Sequence, residues 1–125
     1  MFEDLLNGKN NLAVFHPGHA TYKVEERAAS PTLKELQKCV GGYIEVATDR
    51  RVPVLNLPPA TEQQTNSGRR QLTVPVQVIV NEEGLLRGMP INLLGTAFIK
   101  FIYPEWSHTL VGPVVVLAGR GAQMK

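Results

Sequence analysis

The stretch VPVQVIVNEEG, Val74 to Gly84, sets the class of fold. Its opening residues alternate with a period of two and are rich in Val and Ile, which is how a β-strand presents one face to a core. Asn81 and Gly84 then suit the first and fourth places of a type I turn, between this run and a second strand-like one. Glu82 and Glu83 fall on the central, solvent-facing places of that turn. A catalytic carboxylate pair needs facing placement around a substrate, in environments that separate the two pKa values. Adjacent turn positions do not provide that, so the pair is read as turn chemistry.

Working outward toward the C-terminus, GMPINLLGTAFIKFIYP carries Pro90 as a stop, Asn92 as a helix cap and Pro104 as a terminator. It is read as a short buried helix in which Gly95 permits close packing. The alternation of Ala97, Ile99, Phe101 and Tyr103 also fits a strand. LVGPVVVLAG closes the chain as a strand, with Pro113 marking an edge or a strand beginning.

Toward the N-terminus, YIEVAT is a strand with Tyr43 and Glu45 on one face and Ile44 and Val46 on the other. Before it, SPTLKELQKCVGG has Ser30 as a cap, Pro31 at the first helical position, and Leu33, Leu36 and Val40 at helical spacing. Gly41 ends that helix. NLAVFHPGHATYKVEE reads as a hairpin around Pro17-Gly18. Between the two central strands, PVLNLPPATEQQTNSGRRQLT, residues 53–73, is a long polar loop of the kind that is either a binding loop or a mobile insertion. The sum is a single compact α+β domain over 1–125, a small mostly antiparallel sheet with one or two helices packed on one face.

The 125 residues, 43% apolar, suffice for one core and not for two. A net charge of +2 is too mild for a nucleic-acid binder. The single cysteine, Cys39, excludes an internal disulfide and a cysteine-based zinc site, which suits the cytoplasm. Neither a signal peptide nor a membrane span is expected, since the longest apolar run, VVVLAG, falls far short of the roughly 20 residues a spanning helix needs.

Four ordered motifs, LKELQKCVGGYIEV, VNEEGLLRGMPIN, Gly95-Thr96 and LVGPVVV, resemble those of the domain of unknown function 3846 family. The resemblance spans Leu33 to Leu117, interrupted from Val54 to Leu72. It implies an accessory protein of phages and mobile elements, one acting on host defence inside the host cell, and it implies no chemistry and no catalytic residues.

The residues themselves point to binding rather than catalysis. His16 and His19 in HPGH lack a third ligand placed beside them, and His108 stands far along the chain. Cys39 lies by the apolar stripe of its helix and has no Cys-x-x-Cys partner. The glycines match neither a Walker loop nor a dinucleotide fingerprint. No catalytic residue, metal or cofactor is therefore assigned. Arg50 and Arg51 precede the long loop, Arg69 and Arg70 end it, and Arg87 follows the turn; guanidinium groups suit phosphate oxygens. The expected site is an anion site of Arg51, Arg69, Arg70 and Arg87, with Tyr43, Asn81 and Asn92 as neighbouring pocket residues, for a small nucleotide-type ligand that is sequestered. The alternative partner is a host protein, blocked through a sheet edge or the long loop, and a small hydrolase ranks third. An exposed edge and an apolar C-terminal strand lead to the expectation of a homodimer.

Overall fold

A computed structural model describes residues 1–54 and 72–124. The elements run β1 (Asn11–Phe15), β2 (Val24–Glu26), α1 (Leu33–Val40), β3 (Ile44–Pro53), β4 (Thr73–Asn81), α2 (Leu93–Ile102) and β5 (Val114–Ala118), followed by a 3₁₀ turn, Arg120–Ala122. The strands form one antiparallel sheet in the order β2-β1-β5-β4-β3. This is the α+β architecture that the alternating and helical patterns predict. The helices do not share one face as the sequence reading has it but divide between the two, α1 on one and α2 on the other, because the central strands are apolar on both sides.

The division follows from the pleat. In β5, Val114, Val116 and Ala118 face α2, while Val115 and Leu117 face α1. In β4, Val74, Val76, Val78 and Val80 face α2 and Ile79 faces α1. Strands flanked on both sides in the sheet and covered on both faces need apolar residues at every position, and VVVLA supplies them. Pro113 marks the beginning of β5, which lies at the centre of the sheet, so the apolar C-terminal strand offers no free edge. The edges are β2 and β3.

Local signals place most boundaries. Gly41 is left-handed, with φ of 78°, and the amides of Gly41 and Gly42 both donate to the Gln37 carbonyl, which closes α1. The cap of α1 is Thr32, whose hydroxyl accepts from the Glu35 amide at 3.1 Å, in place of the expected Ser30. Ser30 instead donates to the Gly121 carbonyl, and Pro31 precedes the cap. Asn92 caps α2 as the sequence predicts, accepting from the Gly95 amide at 2.8 Å. A Cβ on Gly95 would meet Val114 Cγ2 at 2.8 Å, so only glycine lets α2 sit this close to β5.

Two features depart from the sequence reading. No strand follows Asn81 to Gly84. The turn closes through the Gly84 amide on the Asn81 carbonyl, and the chain keeps coiling through bonds from Arg87 to Glu83, Gly88 to Leu85 and Met89 to Gly84. The physical reason is that β4 already has β3 and β5 as partners, leaving no place for a hairpin strand. In addition, β3 carries a bulge between Val46 and Thr48. The extra residue, Ala47, reverses the alternation, so that Ile44 and Val46 lie on the α1 face whereas Val52 reaches the α2 core. The central part of the expected 53–73 loop lies outside the described residues. Among the described residues, no helix is long and apolar enough to cross a membrane.

Candidate functional site

The expected anion site is not assembled among the described residues. Arg51 lies near the far end of β3, its guanidinium donating to the Thr73 hydroxyl at 2.9 Å and to the Thr73 carbonyl at 3.3 Å. Arg87 sits at the opposite end of that strand, donating to the Gly41 carbonyl at 3.0 Å. The seven steps along β3 from Ile44 to Arg51 separate them by roughly 20 Å at ~3.3 Å per residue. Arg69 and Arg70 lie outside the described residues.

Tyr43, Asn81 and Arg87 do come together, at the start of β3. Tyr43 is 66% exposed, and its carbonyl accepts from the Glu82 amide at 2.9 Å. Asn81 is buried; its Nδ2 donates to the Val40 carbonyl and its Oδ1 accepts from the Glu83 amide, which ties the end of α1 to the turn after β4. Asn92 lies elsewhere and is fully buried. Its Oδ1 serves the cap, and its Nδ2 donates to the Phe15 and Gly112 carbonyls at 2.7 and 2.9 Å. With donors and acceptor engaged inside the protein, Asn92 pins three segments together and has nothing left to offer a ligand.

A groove of about 580 Å³ opens on the α2 side of β3, within the ~300–1,000 Å³ range of small-molecule sites. Its walls are Glu45, Val46 and Ala47 of β3, the end of β4 from Val80 to Glu82, the turn residues Leu85 and Leu86, and the segment leading into β5 with Trp106 and His108–Val111. The β3 bulge puts Ala47, a small residue, beside this space. Asn81 is the expected site residue that lines it. Glu82 lines it too, so the two turn carboxylates differ: Glu83 is exposed and takes no part.

Trp106 is the chain's single tryptophan. It packs against Tyr103 and, edge to face, against His108. Its indole N–H is buried and has no hydrogen-bond partner among the described residues. A buried unpaired donor of this kind costs about 1–3 kcal/mol, and such groups are rare in native proteins. Nearby, the Arg50 guanidinium lies over the Tyr103 ring at 4.0 Å from its centroid, a cation–π contact.

The histidines are not gathered. His108 lines the groove, whereas His16 and His19, with ring centroids 5.4 Å apart, line a separate hollow beside β2. Cys39 packs against the α1-side core, and burial pushes its thiol pKa up, which disfavours the nucleophilic thiolate. Sequence reasoning missed Glu45, Trp106 and His108 because they come from separate segments and match no motif. The one available signal was the lone tryptophan, in a stretch otherwise short of structural cues. Comparison with protein-family models, with curated proteins and with solved structures finds no match to this chain.

Proposed function

We propose that this chain is a non-catalytic binding protein that captures a small ligand in the groove between β3, the turn after β4 and the Trp106 segment. The observation that carries the reading is a ligand-sized, largely apolar groove lined by the chain's single tryptophan. The Trp106 ring and the apolar walls supply burial for such a ligand. The motif resemblance supports an accessory protein of phage or mobile-element type, acting in the cytoplasm of the host, for which sequestering a host-defence signal is the corresponding biological role. A nucleotide remains one ligand class to test, although the described arginines stand outside this groove.

Thermal shift and Trp106 emission provide the test, using a panel of nucleotides, amines and aromatic acids. A ligand recovered unchanged, which raises the melting temperature and shifts Trp106 emission, supports capture. Thr109→Phe fills the groove from an exposed lining position and should abolish both responses without lowering stability. Retention of both responses in that variant would move the site elsewhere.

A second reading, block of a host protein, is favoured by Leu85 and Leu86, which are 80% and 89% exposed beside the groove. It predicts that Leu85→Asp and Leu86→Asp abolish capture of the partner. A homodimer through the β2 edge is the corresponding proposal for self-association, which light scattering over a wide concentration range tests.

A further inference from the structure

Resting on the groove reading above, we propose that the ligand is a small organic cation, an amine protonated at neutral pH and carried on an apolar body. The charges that the described structure places around the groove are the first reason. Glu45 lines the groove from β3 and Glu82 from the turn, and among the described residues no ion pair engages either. Among the described residues, no lysine or arginine lines the groove. Two carboxylates without a lining cation set a negative potential in a partly enclosed space, which favours a cationic ligand and disfavours an anionic one.

Aromatic chemistry points the same way. Trp106 offers the ring type that attracts a cation most strongly, and the adjoining Tyr103 already holds one in the Arg50 guanidinium. Leu85 and Leu86 supply apolar contact for the rest of the ligand, and their exposure gives them surface still to bury. A peptide added as a strand fits less well. The free edge of β3 is broken by the bulge at Ala47, carries Asp49, Arg50 and Arg51, and ends at Pro53, all devices that discourage strand pairing.

The experiment compares three probes with similar apolar bodies: 2-phenylethylamine, 2-phenylethanol and 3-phenylpropionate. Binding is followed by Trp106 emission and by melting temperature. The amine is expected to bind at least about tenfold more tightly than either other probe, and to weaken as salt is raised. Glu45→Gln with Glu82→Gln should erase the preference while leaving the melting temperature of the free protein unchanged. Glu45→Lys with Glu82→Lys should transfer it to the carboxylate. Equal or tighter binding of the alcohol or the carboxylate by the unaltered protein would overturn the cation assignment and leave the groove reading standing. Amine binding that survives Thr109→Phe would overturn both, as would a nucleotide response with none from the three probes that persists in Thr109→Phe. Capture of a basic peptide without any response to the amine would overturn the small-ligand assignment.

Discussion

Asn92 shows how much a single buried amide can organise. Its acceptor holds the first turn of α2, and its donors hold the carbonyls of Phe15 and Gly112, on chain segments 77 and 20 residues away. Asn92→Asp keeps the cap acceptor and removes both donations, so it isolates the pinning role. It is expected to lower unfolding free energy by about 3 kcal/mol, given roughly 1–3 kcal/mol for each buried acceptor left unpaired, measured by urea denaturation. Gly84 makes a different point at the same scale. Its backbone is not left-handed, so glycine is required there by space: a Cβ would lie 3.0 Å from Val111 Cγ2. Gly84→Val should destabilise by about 1–3 kcal/mol through overpacking, whereas Glu83→Gln on the neighbouring exposed position should have little effect.

At the scale of the element, α1 is closed by local chemistry and β3 is shaped by one inserted residue. Thr32→Ala removes the hydroxyl that receives the Glu35 amide, and should cost about 1 kcal/mol in chemical denaturation. Ser30→Ala should cost less, because it removes only a 3.3 Å bond to Gly121. For β3, deletion of Ala47 is the informative change. Ala47 is the residue without a partner in β4, so its deletion sets Thr48 directly after Val46 and leaves Thr48 opposite Val78 and Val52 opposite Val74, on the α2-side core. The deletion is therefore expected to fold cooperatively with a normal circular dichroism spectrum, as is Ala47→Gly, and loss of cooperative unfolding in the deletion variant would show that the bulge itself is required.

Across the whole molecule, the α2-side core is sealed at the N-terminal end by Phe2, Phe15, Tyr22 and Phe98, whose rings pack against one another. Burial first, and then the hydrogen bond its hydroxyl donates to Asp4 at 2.7 Å, raise the Tyr22 phenol well above its ordinary range. A folded-state pKa above the unfolded one means that this contribution is fully present below about pH 10. It is lost as pH rises from there through the folded value. Stability should therefore fall on the alkaline side, and Tyr22→Phe should flatten that fall, as followed by denaturation at stepped pH.

The sequence by itself determined the class of the fold and most of its punctuation. Strand alternation in Val74–Val80, the apolar run that fills β5, the left-handed glycine after α1 and the asparagine before α2 all act over a few residues, so their physics is contained in the local chain. The tertiary structure decided which strands became neighbours and which helix took which face. A turn sequence such as Asn81 to Gly84 cannot register that β5 already occupies the edge a hairpin strand would need. The bulge that turns Val52 into the α2-side core is settled by pairing with β4 and by packing, neither of which is written in β3 alone. The groove lies still further from local reading. Glu45, Glu82 and Trp106 become neighbours only when three segments fold together, and charges scattered along a chain acquire a common field only when the fold brings them to one space.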